Sequence, residues 1–292
     1  MIHPLSRFSS PYLTLYTGIT LLATNGLFAK SIPLDAVDIT QLRSTIAALA
    51  ITLYLYCWRK PSNHIAKKTL LGIYGLGILM GLHWVTFFHS MQVTSIAIGM
   101  VSLYTFPIMV VFMEAAIHKR WPHGADMVSG LLVLLGIVIM ASNQMASPNA
   151  ANTVMGIAWG VVSALLFASR NILQKYYFVD VPSETLMLHQ VIAIGLMLLP
   201  FLGLEAIPNI TINAWTKLIV LGIFTTAGAH TLLVLSYKKL PAKTVAMVSC
   251  LQPVIGATLA WILLNEQPSV YIVIGGVIVL GVAVYESLDV FK

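Results

Sequence analysis

The stretch Leu70–Ser90, LLGIYGLGILMGLHWVTFFHS, runs for 21 residues without an Asp, Glu, Lys or Arg. A helix of that length spans about 30 Å, the thickness of bilayer hydrocarbon. The run does not alternate in polarity and is about twice as long as a membrane β-strand, so a spanning β-barrel is not expected. Near its middle, His83 stands next to Trp84.

Runs of this kind recur along the chain. They predict ten spans, at about 12–30, 39–58, 70–90, 95–117, 124–143, 153–173, 184–201, 216–236, 241–264 and 270–288. Only 26 of the 292 residues are charged and 58% are hydrophobic, far too apolar for a soluble domain of this size. The expected class is therefore all-α, a polytopic membrane protein whose main partner is the lipid bilayer. The first run, starting near Tyr12, reads as a span rather than a cleaved leader. Cys57 and Cys250 fall in or beside apolar segments and read as small core residues.

The net charge of +6 does not point to nucleic acid, because Lys and Arg occupy short gaps between apolar runs. With the N terminus inside, twelve basic residues lie at or near the cytoplasmic side (Arg7, Arg59, Lys60, Lys67, Lys68, Lys119, Arg120, Lys175, Lys238, Lys239, Lys243, Lys292). Only Lys30 and Lys217 lie near the outer side. This bias predicts that both termini are cytoplasmic, as in a bacterial inner-membrane protein. The short gap Met91–Thr94 is the critical point, since a span lost there would reverse the second half.

The sequence is also doubled. A shift of 146 residues carries Pro107 onto Pro253, Pro122 onto Pro268, Gly130 onto Gly276, Ser90 onto Ser236 and Arg43 onto His189. With one residue of adjustment, Ala23 and Lys30 fall on Ala168 and Lys175. Each half, 12–144 and 153–288, holds five spans, an odd number, so the halves point in opposite directions. Such an inverted repeat predicts a cavity between the halves and transport by alternating access. A duplication kept only for packing is the alternative.

Several stretches within the repeats carry a family likeness. Thr94-Ser95-Ile96-Ala97-Ile98-Gly99 runs into Phe106-Pro107-Ile108 in span four. Leu251-Gln252-Pro253-Val254-Ile255 stands in span nine, followed by Asn265-Glu266 before the last span. In these features the chain resembles the drug/metabolite transporter superfamily and its EamA branch, over about 12–288. The resemblance implies ten helices in two inverted repeats. It also implies export of amino acids or related small metabolites; other members carry nucleotide sugars or triose phosphates. One departure stands out: Glu266 opens the last loop of the second half where the family often has Gly-Glu, but the matching position in the first half is Arg120.

Polar groups inside the spans are the candidate functional residues, because they are costly in a bilayer unless paired or wetted. His83 and His230 lie at comparable depths, and the repeat shift puts His230 on Trp84. A histidine there can couple a proton to transport, or sit neutral against a backbone carbonyl. Glu114 and Arg170 lie at matching depths near the cytoplasmic ends of spans four and six, so they are expected to pair as an inner gate or else to snorkel separately. Arg43 enters span two near the outer face, where it can meet Asp35 or Asp38 or bind a carboxylate, giving it a lining or gating role. Asn25-Gly26 interrupts span one, with Asn25 either packing or binding substrate.

Pro107 and Pro253 remove backbone donors inside spans four and nine, freeing the carbonyls of Leu103 and Ser249. Tyr104 and Gln252 stand beside these kinks and are expected to line the cavity, with Trp84, Phe87, Phe88 and Phe106 as an apolar wall. The expected substrate-binding set is thus His83, Trp84, Tyr104, His230, Gln252 and Asn25. The glycines of spans three, five and ten read as close-packing faces. None has the setting of a nucleotide-binding loop, and no metal spacing occurs, so no cofactor is expected.

A membrane enzyme would need a reactive cluster near one face, and neither paired acids nor a His/Asp arrangement is visible there. A sensor or assembly factor would normally bring a soluble domain or a long tail. The leading expectation is a secondary transporter, monomeric or weakly dimeric, exporting amino acids or similar metabolites on a gradient. Uptake, or a nucleotide-sugar or phosphorylated substrate, stays open as the alternative.

Overall fold

The computed structural model of the chain describes residues 10–29, 31–58, 65–94, 96–145, 150–205, 207–264 and 270–289. Lys30, the turns at 59–63 and 147–149, and Asn265-Glu266 lie outside the described residues. Every regular element described is helical. In order these are α1 (Pro11–Ala23), α2 (Asn25–Ala29), α3 (Ala36–Trp58), α4 (Lys67–Val93), α5 (Ile96–Leu103), α6 (Phe106–Ile117), α7 (Gly124–Met145), α8 (Ala150–Tyr177) and α9 (Ser183–Leu198). Then come α10 (Ile212–Val220), a π-helical segment (Leu221–Ala229), α11 (His230–Lys239), α12 (Ala242–Ser249), α13 (Leu251–Leu264) and α14 (Val270–Asp289).

Five of the described helical rods are long and apolar enough to cross a membrane: Ala36–Cys57, Lys67–Val93, Val154–Tyr177, Ser183–Phe201 and Ile212–Lys239. Shorter apolar helices include Phe106–Ile117, Gly124–Gly136, Ala242–Gly256 and Val273–Val282. Three of the expected spans are broken in the middle. Between α1 and α2, Thr24 tightens the chain by donating from both its amide and its hydroxyl to Leu21 O. Between α5 and α6, Tyr104 and Thr105 form a turn just ahead of Pro107, which has no N–H for a carbonyl one turn back. Between α12 and α13, Cys250 breaks the helix three residues before Pro253 for the same reason. At the critical gap, α4 ends at Val93 and α5 begins at Ile96, and the two helices pack against each other.

Around a largely apolar core, the outer surface is apolar and several charged and polar groups are buried. Leu53, Tyr56, Leu71, Leu196, Val273 and Val277 are exposed, whereas Arg43, Arg170, His83, His230, Asn171 and Gln190 are buried. Apolar side chains facing outward need a hydrocarbon solvent, so this is a multi-pass membrane protein with polar groups set into its interior. α4 packs along α8 and α9, α3 along α9 and the π segment, α1 along α11 and α13, and α7 along α14. Two of the closest approaches use glycine. A Cβ on Gly77 would lie 2.6 Å from Ala193 Cβ, and one on Gly136 would lie 2.9 Å from Gly275 O. The expectation of close-packing glycines is met at these positions. It is not met at Gly75 or Gly281, where an added Cβ would meet nothing within 4 Å.

Candidate functional site

A single turn-and-a-half of α4 sets the chemistry of the interior. His83, Trp84, Phe87 and Phe88 follow the i, i+1, i+4, i+5 spacing of one helix face, and all four line a central cavity. Leu22 and Asn25 join them from α1 and α2, as do Met100, Leu103, Tyr104 and Phe106 from the α5–α6 break. Phe167 of α8, His230 of α11 and Gln252 of α13 complete the lining. The six residues expected to bind substrate therefore surround one space, together with the other three aromatic residues of the expected wall, Phe87, Phe88 and Phe106. The free space inside it is about 30 Å³. That holds roughly two waters, so a metabolite enters only after the walls move.

The two interior histidines differ. His83 Nδ1 lies 3.2 Å from Ser163 O and 2.7 Å from Ser163 Oγ, and Ser163 Oγ donates back to His83 O at 3.0 Å. A carbonyl only accepts, so Nδ1 carries the proton and Nε2 keeps its lone pair. The ring is stacked on Phe167 at 4.5 Å, which ties α4 to α8. His230 is 2% exposed, and neither ring nitrogen has a hydrogen-bond partner among the described residues. Its ring lies 5.0 Å from that of Trp84. Asn25 Oδ1 is likewise buried and unpartnered.

The charged residues take partners that the sequence did not predict. Glu114 does not pair with Arg170. It accepts from Tyr176 Oη at 2.6 Å and from the amides of Ala242 and Lys243 at 3.3 and 3.0 Å. Those amides open α12, whose own cap position is Pro241 and supplies no side-chain acceptor. A carboxylate is drawn to such free N–H groups by hydrogen bonding and by the helix dipole together. Beside it, Lys243 Nζ meets Asp126 at 2.6 Å. Lys175 Nζ donates to Tyr237 O and Leu240 O at the end of α11. Arg170 is held by neutral amides, giving two hydrogen bonds to Gln190 Oε1 at 2.9 and 2.7 Å and one to Asn171 Oδ1 at 2.8 Å.

Arg43 does not take Asp35 or Asp38. Asp35 Oδ1 accepts from Asp38 N at the start of α3, and Asp38 Oδ1 accepts from Gly203 N. Arg43 lies five residues beyond Asp38, about 140° around the helix, and so faces the interior. Its Nε donates to Thr226 Oγ1 at 2.9 Å, and its guanidinium lies 4.4 Å from the centre of Trp84 and 5.3 Å from that of Phe88. Thr226 belongs to the π segment and donates in turn to Leu221 O. Sequence reasoning missed Ser163, Tyr176, Gln190 and Thr226 as partners. The one available signal was the Thr225-Thr226 pair inside an otherwise apolar span.

Known proteins place the chain. A family model described as the EamA-like transporter family matches it twice, over residues 9–142 and 154–285. An uncharacterized transporter of Bacillus subtilis (strain 168), YxxF, is 21% identical over 276 residues, covering 93% of this chain and 87% of that protein. A solved crystal structure shares the fold with a TM-score of 0.75 at 20% identity, covering 96% of this chain and 97% of the other. With both matched stretches gathered around one cavity lined by aromatic and polar side chains, the chain belongs to the EamA-like transporter family of the drug/metabolite transporter superfamily, whose members are secondary carriers of small metabolites and not enzymes.

Proposed function

We propose that this carrier exports amino acids or closely related metabolites by alternating access, from an inner membrane in which both of its termini are cytoplasmic. On this reading ten spans form two inverted repeats, 12–144 and 153–288, and substrate sits between them. The observation that carries it is the cavity itself, where Asn25, His83, Trp84 and Tyr104 of the first half meet His230 and Gln252 of the second.

The order of helix contacts supports the inversion. α4 packs on α8 as α1 packs on α11, and α5 and α6 pack on α8 as α13 packs on α1. α3 with α9 and α7 with α14 are the pairs that such a symmetry would map onto themselves. Within that scheme the ties of Glu114 and Lys175 close the cytoplasmic end, joining α6 to α12 and α8 to α11. The polar atoms of the cavity hold the amino and carboxyl groups, while the aromatic wall accepts the side chain. Proton coupling, if present, falls to His230, whose ring nitrogens are uncommitted.

Proteoliposomes loaded with labelled neutral amino acids, with and without a pH gradient, test the proposal. Efflux of at least one of them is expected. Transport confined to a nucleotide sugar or a phosphorylated metabolite would overturn the substrate class, and acceleration by inward-directed protons would establish coupling.

A further inference from the structure

Arg43 is 0% exposed, and two of its three guanidinium nitrogens, Nη1 and Nη2, have no hydrogen-bond partner among the described residues. A buried cation left in that state is expensive, since desolvation is repaid only by paired charge or hydrogen bonds. Arg170, equally buried, has all three nitrogens bonded to Gln190 or Asn171. The fold therefore satisfies one interior guanidinium and leaves the other open. Nε of Arg43 is fixed by Thr226, and the guanidinium lies against the rings of Trp84 and Phe88, both of which line the central cavity. Among the described residues lining that cavity there is no Asp or Glu. The space thus has a cation directly behind two of its wall rings and no carboxylate to receive a cationic solute.

We propose that Arg43 is the anion-receiving group of this carrier. When the cavity widens, the Trp84 indole moves off the guanidinium, and the carboxylate of the substrate takes both open nitrogens in a two-point bond. The substrate class is then a small carboxylate with an apolar or aromatic body, matched to Phe87, Phe88, Phe106 and Phe167. An amino group on that body is tolerated and not required. Trp84 acts as a shutter that shields the charge while the site is empty, which its cation–π contact makes affordable. The inference rests on the carrier reading above and narrows it, because amines without a carboxylate are excluded.

The test uses the full chain in nanodiscs with three probes: 3-phenylpropionate, L-phenylalanine and phenethylamine. Binding is followed by calorimetry, and thermal unfolding is recorded without ligand. Wild type is expected to bind the two carboxylates and not the amine. Arg43→Gln is expected to weaken both carboxylates by roughly tenfold to a hundredfold, the worth of hydrogen bonds to a charged group. Arg43→Lys keeps the charge but not the fork and is expected to recover part of that loss. Without ligand, Arg43→Gln is expected to melt at or above the wild-type temperature, because it removes an unpaired buried charge; an arginine kept for structure would melt lower on replacement. Carboxylate binding unchanged in Arg43→Gln, no carboxylate binding by wild type, or a preference for phenethylamine would each overturn the proposal. A proteoliposome that still moves some solute in any of those cases keeps the carrier reading intact, and one that moves none ends both.

Discussion

The indole of Trp84 rests against the imidazole of His230, with ring centres 5.0 Å apart and planes at 58°. The two residues are separated by 146 positions, the offset that also carries Pro107 onto Pro253. Corresponding positions of a two-fold arrangement touch each other only where the axis passes between them. Under the inverted-repeat proposal this contact marks the centre of the molecule, and it stands in the wall of the central cavity.

The two interior histidines are expected to respond to substitution in opposite ways. His83 bridges α4 to α8 through Ser163, so His83→Leu removes the ring's hydrogen bond to Ser163 and its stacking on Phe167, leaving only the Ser163 hydroxyl's bond to the backbone carbonyl of residue 83, and is expected to cost about 1–3 kcal/mol of stability. His230 has no hydrogen bond to lose, so His230→Leu is expected to keep the melting temperature and reduce transport. Thermal unfolding and proteoliposome efflux on the same two preparations check this. Equal melting temperatures for the two variants would show that His83 is not a structural bridge.

Apart from a 4.0 Å contact of Nη2 with Met187 Sδ, Arg170 is satisfied by amides, and Gln190 takes two of its three nitrogens. Gln190→Leu leaves Nε and Nη2 of a buried guanidinium without their acceptor and is expected to cost about 1.5–3 kcal/mol. Adding Arg170→Met removes the stranded charge, so the double variant is expected to be more stable than Gln190→Leu alone. A double-mutant cycle from thermal unfolding measures the coupling. Additive effects would mean that the bond contributes nothing.

That His83, Trp84, Tyr104 and His230 share one level of the bundle could be read from the sequence, but not which way each polar group faces. Position along an apolar run fixed the level of His83, Trp84, Tyr104 and His230, and the proline offset pointed to the broken helices beside Tyr104 and Gln252. Azimuth decides partners, and apolar runs without a strong polar face carry little of it. Glu114 and Arg170 were matched by depth, yet each turns to its own neighbours. For Arg43 the sequence leaves open the acids that precede it or a bound carboxylate, and five residues of helix turn it away from the acids. The π segment at Leu221–Ala229 leaves no trace in hydropathy, because a change of helical register alters neither length nor composition much.

Glycines of the same helix separate packing from mere presence. Gly77→Ala would put a Cβ 2.6 Å from Ala193 Cβ and 2.8 Å from Gln190 O, forcing α4 away from α9. Such overpacking is expected to cost about 1–3 kcal/mol. Gly75→Ala, with nothing within 4 Å, is expected to be neutral or slightly stabilising through helix propensity. Thermal unfolding of the pair checks this, and equal effects would refute the close approach at Gly77.

Glu114 offers the sharpest test of the cytoplasmic tie. It is the side chain that accepts from the amides of Ala242 and Lys243, and it takes the Tyr176 hydroxyl as well. Removing an acceptor at a helix start costs about 0.5–2 kcal/mol, so Glu114→Ala is expected to lower stability by that order. The more telling effect is on access. Cys250 is buried at the break that ends α12, beyond the tie, whereas Cys57 is exposed. In a Cys57→Ser background, loosening α12 from α6 is expected to speed the reaction of Cys250 with a small thiol reagent. Glu114→Gln keeps one acceptor oxygen and is expected to fall between wild type and alanine. If the rate at Cys250 were the same in all three while stability fell in order, Glu114 would be a helix cap that the transport cycle never releases.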